Sequence, residues 1–160
     1  MTEEERSKLR RFYEDLGTIC SEFGFTPYIP HIYGDPAKFK DLSPEQIDRM
    51  DRLAVTQSYL VVAYVGVAST GVGIEIEMAY HANKPTVLLY EKTKLHNHLI
   101  SRLVRGNPTV THQIVFDDEL DAFEDAKSQL RNFLHEFCSS NATENLPEPI
   151  SLIPQMVPVQ

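Results

Sequence analysis

Residues 59–65 read Tyr-Leu-Val-Val-Ala-Tyr-Val, an unbroken apolar run. It is far shorter than the roughly 20 residues a membrane span needs. A short run without polar alternation suits a strand covered on both faces, the situation of a parallel sheet. Directly after it comes a turn rich in Gly, Ser and Thr, residues 66–73, and then a helical pattern from about Gly73 to Asn83. Residues 86–90, Thr-Val-Leu-Leu-Tyr, form a second buried run. The two runs are expected to be adjacent inner strands. Strands alternating with helices build a parallel α/β sheet, so the expected fold is a three-layer α/β sandwich.

The flanking segments fit this frame. Thr2-Glu3-Glu4-Glu5 is a capping box. Leu9, Phe12, Tyr13, Leu16, Ile19, Cys20 and Phe23 then recur at three and four residues, one helical face ended by Gly24. Residues 25–29 give a short strand candidate despite Pro27, and 30–42 read as a loop. Ser43-Pro44-Glu45-Gln46 starts a second helix, with Ile47, Met50, Leu53 and Ala54 inward. A short helix is expected over 96–105, a strand over 111–116 and a long amphipathic helix over 118–138. Beyond it, 139–160 carries Pro147, Pro149, Pro154 and Pro158 and reads as a tail. The expected organisation is one domain over 1–138 followed by that tail.

At 160 residues the chain is long enough to bury a core without a disulfide or metal staple. Its formal charge of −8 argues against sequence-independent nucleic-acid binding, which needs Lys and Arg against phosphates. Cys20 and Cys138 are too few for a zinc cluster and read as buried thiols in a reducing, cytoplasmic compartment. No basic start leads into an apolar leader region, so neither secretion nor membrane insertion is expected. His96 and His98 are spaced for one face of a strand, with no Cys or carboxylate cluster beside them. No metal or cofactor is expected.

The stretch Ser69-Thr70-Gly71-Val72-Gly73-Ile74-Glu75-Ile76-Glu77-Met78-Ala79 concentrates the chemistry. It follows a buried strand and opens a helix, and ligands of open α/β sheets bind beyond the carboxyl ends of the strands. Gly71 and Gly73 allow close backbone approach, and a helix N-terminus offers amides to an anion. Glu75 falls in the expected first turn, where the helix dipole favours a carboxylate. On the residues alone, an ordinary strand–helix turn with a stabilising first-turn acid explains the segment as well. Tyr28 and Tyr33 are candidates to stack on a base, whereas Tyr64 reads as core.

Gly71-Val72-Gly73-Ile74-Glu75-Ile76-Glu77-Met78-Ala79, followed by Asn83-Lys84-Pro85 before a strand, resembles the nucleoside 2-deoxyribosyltransferase superfamily. The resemblance is closest to its 2′-deoxynucleoside 5′-phosphate N-hydrolases. Asp51 in the helix before the apolar strand, Ser69 six residues before Glu75, and Ser101-Arg102-Leu103-Val104-Arg105-Gly106 support it. It implies a flavodoxin-like sheet and a glutamate nucleophile, Glu75, that attacks the anomeric carbon. Asp51 matches the acid that orients the nucleophile and helps protonate the leaving base. Ser69 stands where enzymes acting on free nucleosides carry Asp and the monophosphate hydrolases carry Ser, which can donate to a 5′-phosphate. Ser101 matches a serine that reaches the phosphate of a neighbouring subunit, which implies a homodimer. His31 matches a histidine near the ligand, and Gly71 and Gly73 belong to the binding turn.

Two departures accompany the resemblance. The superfamily begins with a strand and a glycine-rich loop, whereas this chain opens on its first helix. The sheet is then expected to lack or replace that strand, with 150–153 as a candidate replacement. Glu77 stands where a small residue is common, either near the site or on the exposed side of the helix. The expected activity is hydrolysis of the N-glycosidic bond of a nucleoside 5′-monophosphate. A non-catalytic nucleotide-binding module and deoxyribosyl transfer between bases are the alternatives.

Overall fold

In a computed structural model of the chain, residues 1–34, 39–117 and 122–140 are described. The elements are α1 (Glu3–Glu22), α2 (Pro30–Tyr33), α3 (Pro44–Gln57), β1 (Val61–Tyr64), α4 (Thr70–His81), β2 (Thr86–Glu91), α5 (Lys92–His96), α6 (Arg102–Arg105), β3 (Val110–Phe116) and α7 (Ala122–Ser140). Both expected helix starts form full capping boxes: Thr2 with Glu5 at α1, and Ser43 with Gln46 at α3. Each satisfies two amides that a helix end would otherwise leave unpaired.

The strands run parallel in the order β1-β2-β3. Side chains alternate across the central strand and define two cores. Val87 and Leu89 face Phe12, Leu16 and Ile19 of α1 and Ala126, Leu130 and Leu134 of α7. Leu88 and Tyr90 face Ile76 of α4 and Ile100. Helices thus cover both faces, and the architecture is a three-layer α/β sandwich about a parallel sheet. Every residue of β2 is buried, as its unbroken apolar run requires. The turn into β2 uses Asn83 at φ 53, a left-handed position that Asn tolerates, just after the α4 C-cap at Ala82.

Four local expectations are corrected. The 59–65 run pairs with β2 as expected, but β1 is an edge strand of the described sheet rather than an inner one. No described strand pairs with its outer side, and the candidate replacement at 150–153 lies outside the described residues. Residues 25–29 form no strand; Pro27 lacks an amide to donate, and the segment runs along α1, pressing Ile29 and Pro27 against Gly17. The 96–105 helix is instead two short ones, α5 and α6, separated by a turn that places His98 at φ 58. Finally, α4 starts at Thr70, three residues before the expected Gly73. The start of the last helix at Asp118 and the tail from 141 onward lie outside the described residues.

Two ionic contacts tie the first helix to the last. Arg131 donates from Nε and Nη2 to the two carboxylate oxygens of Glu22, at 2.9 and 3.1 Å. Lys127 Nζ lies 3.0 Å from Asp15 Oδ2. No helix among the described residues is long and apolar enough to cross a membrane.

Candidate active site

The site is built where α4 leaves the carboxyl end of β1. Ser69 is the N-cap of α4, and its Oγ accepts from Val72 N at 3.4 Å. Gly71 and Gly73 occupy the first turn. A Cβ at Gly73 would meet nothing within 4 Å, and one at Gly71 only Ser69 Oγ at 3.8 Å, so both glycines leave space open at the helix start. Because the helix begins at Thr70, Glu75 sits in the second turn, half-buried.

That shift reverses the expected electrostatics. A helix dipole acts within the first turn, so it does little for Glu75. Burial dominates instead and, with the charge of Asp51 beside it, pushes the Glu75 carboxyl up to about 7. Asp51 comes from α3, which packs on α4. Burial raises its carboxyl as well, a hydrogen bond from Tyr28 opposes the rise, and the charge of Asp48 adds to it. Asp48 itself is exposed and pairs with Arg52 at 2.9 Å, so Asp51 is the acid that α3 turns toward Glu75.

Aromatic groups close the surroundings. Tyr28 donates its phenol O–H to Asp51 Oδ1 at 2.9 Å. Its ring stacks on Tyr33, with centroids 5.0 Å apart and planes 8° apart. The two rings expected to receive a base therefore cover each other. Tyr13 of α1 has its hydroxyl pushed up to about 12 by burial and then by the charges of Glu75 and Glu91. His31 Nε2 lies 3.1 Å from Glu14 Oε1, and its ring centroid is 5.9 Å from that of Tyr13. Tyr64 is core, as expected, and donates to Glu91 Oε1 at 2.6 Å. Lys94 Nζ donates to the same oxygen at 2.6 Å. This ionic group ends the central strand beside Gly66, where any Cβ would collide with Glu91 Oε2 and the Tyr64 hydroxyl.

The structure thus brings Asp51 and Glu75 into electrostatic contact and sets Ser69, Gly71 and Gly73 on the same helix start. His31 borders the group through Tyr13. Ser101 is exposed at the N-cap of α6, where its Oγ accepts from Val104 N at 3.3 Å. Nothing among the described residues ties it to Glu75. Glu77 is on the exposed side of α4, accepting from Asn107 Nδ2 at 2.9 Å and pairing with His81 at 3.3 Å. No group of three His, Cys, Asp or Glu side chains among the described residues is arranged to hold a metal. Sequence reasoning missed Tyr13, which reads only as one more residue of an apolar helical face. It also missed the link from Tyr28 to Asp51, for which the prolines flanking Tyr28 at 27 and 30 are the one local signal.

No protein-family model matches the sequence, and no curated protein matches it. Among solved structures, the chain is similar to the CMP N-glycosidase BcmB of Clostridium botulinum, with a TM-score of 0.60 and 27% sequence identity. The match covers 82% of this chain and 94% of BcmB. BcmB has a nucleoside 2-deoxyribosyltransferase-like fold, so the likeness supports the superfamily resemblance.

Proposed function

We propose that this protein hydrolyses the N-glycosidic bond of a nucleoside 5′-monophosphate, as the 2′-deoxynucleoside 5′-phosphate N-hydrolases it resembles do. The observation that carries the reading is the carboxylate pair Glu75–Asp51, in which each acid is raised by burial and Glu75 also by its partner. The similarity to a nucleotide N-glycosidase supports the same chemistry.

The pair supplies what retaining glycoside cleavage requires: an oxygen that attacks and a proton that can be given away. Below about pH 7 the two carboxyls hold a proton between them. In the productive arrangement Glu75 is ionised and Asp51 carries the proton. Glu75 attacks C1′ as the bond to the base breaks, and the base leaves with the Asp51 proton. Water activated by Asp51 then opens the glycosyl ester, returning Glu75 as a carboxylate and Asp51 to its acid form. The exposed Ser69 hydroxyl, with the first amides of α4, suits a 5′-phosphate. His31 borders the ligand space.

Homodimer formation belongs to this reading, with Ser101 completing the neighbour's site. Leu103 at 87% and Leu99 at 66% exposed flank it on the surface and support a partner there, while Ile100 is buried under the chain's own sheet. The two free cysteines fit a cytoplasmic protein. The test is incubation with a panel of nucleoside and deoxynucleoside monophosphates and detection of free base. Base release is expected from the wild type and a loss of at least about a hundredfold in Glu75→Gln, the scale of a lost catalytic group. Binding without base release by the wild type would make the chain a nucleotide-binding module instead.

A further inference from the structure

Tyr28 is held from several sides. Pro27 and Pro30 restrict the backbone around it, and Ile29 is pressed against α1 at Gly17, where no side chain intervenes. α2 then turns the chain back so that Tyr33 lies flat on the Tyr28 ring. With the ring fixed in this way, its hydroxyl meets Asp51 Oδ1 at 2.9 Å. The site thus contains a donor aimed at one carboxylate of a pair, and the sequence resemblance assigns it no role.

We infer that Tyr28 is a positioning residue whose phenol O–H, by donating to Asp51, decides which of the two carboxyls holds the proton they share. The inference rests on the reading of Asp51 and Glu75 as the catalytic pair. A donor stabilises the ionised form of the group that accepts from it, so Tyr28 favours the proton on Glu75 and the charge on Asp51. It therefore sets aside the arrangement in which Glu75 attacks, until a substrate rebalances the pair. Burial and the Asp51 charge hold the Tyr28 hydroxyl above its ordinary range, so it remains a donor wherever the pair titrates.

Among the described residues, the other groups facing the pair have no hydrogen bond to Asp51 of this kind. Asp48 of α3 adds negative charge and pairs with Arg52. Tyr13 of α1 feels Glu75 and Glu91 as charges, and His31 is engaged with Glu14. On β2, Glu91 is bonded to Tyr64 and Lys94.

Tyr28→Phe tests the inference, because it keeps the ring and its stack and removes only the hydroxyl. In the pH profile of base release from a nucleoside monophosphate, the acid limb reports protonation of Asp51 in the presence of protonated Glu75. That limb should move up in pH in Tyr28→Phe, and the plateau above it should rise by up to roughly tenfold, the equilibrium worth of one such hydrogen bond, because Asp51 then holds the proton more often while Glu75 is ionised. The limb near pH 7 should move little. A uniform loss at every pH, or a change in KM alone, would overturn the inference. A second measurement needs no turnover: the Asp51 carboxyl carbon, followed by NMR, should titrate at higher pH in Tyr28→Phe than in the wild type. An unchanged Asp51 midpoint overturns the inference. Absence of base release by the wild type, with the midpoint shifted, would instead overturn the hydrolase reading and leave the proton coupling standing.

Discussion

At the scale of single residues, Glu75 sets stability against chemistry. Its folded carboxyl titrates at about 7, above the ordinary 4.5. Between those values the folded chain binds more protons than the unfolded one, so stability falls as pH rises through the window. The loss is on the order of 2 kcal/mol, after allowing for the partial exposure of the group. Glu75→Gln, which cannot ionise, should therefore be the more stable protein above pH 7 and should lose its advantage below about pH 4.5. Urea unfolding of both proteins at several pH values measures this, and parallel curves would show that Glu75 carries no such burden. Ser69 makes a separate prediction. Ser69→Asp keeps an N-cap oxygen, so α4 should stay intact. Nucleoside monophosphates should nonetheless bind several-fold more weakly, because a carboxylate repels the 5′-phosphate, while free nucleosides are little affected. Titration calorimetry with both ligand types separates the two, and equal weakening would remove Ser69 from the phosphate contacts.

At the scale of elements, legibility followed how local the cause was. The capping boxes at Thr2 and Ser43 depend on four consecutive residues and were readable. So were β2, whose apolar run needs cover on both faces, and the approach of Asp51 to Glu75, which the resemblance implied. The start of α4 was not readable, because Ser69, Thr70 and Gly71 are all acceptable N-cap residues. Three residues of error there moved Glu75 from the first turn to the second and inverted its expected charge preference. Burial caused that inversion, and burial depends on α3, distant in sequence. The 25–29 segment was misread because its apolar residues pack on α1 without pairing. The element that remains to be tested is α6. Ser101→Arg should place a charge at the proposed interface and convert the proposed dimer to a monomer in light scattering at micromolar concentration, with loss of the proposed base release. A wild-type monomer that cleaves monophosphates would show that each chain holds a complete site.

At the scale of the whole molecule, order in the chain and order in space differ in one respect. From β1 to α7, successive elements pack largely on near neighbours, and β1, β2 and β3 lie side by side. α1 instead closes on α7 across more than a hundred residues, through Glu22 with Arg131 and Asp15 with Lys127. Proteins open in cooperative units, so α1 and the segment leading to Tyr28 are expected to exchange amide hydrogens by sub-global opening, and β2 only by global unfolding. Arg131→Ala should speed exchange in α1 several-fold and leave β2 unchanged; equal acceleration of both would mean that the chain opens as one unit. The clasp has a further consequence. Tyr28 meets Asp51 from a segment pressed on α1 at Gly17, so the lifetime of the docked helix is also the lifetime of the proposed site. A nucleotide bound there would act as a latch, and the resistance of α1 to a protease would report occupancy of a centre that the protease never touches.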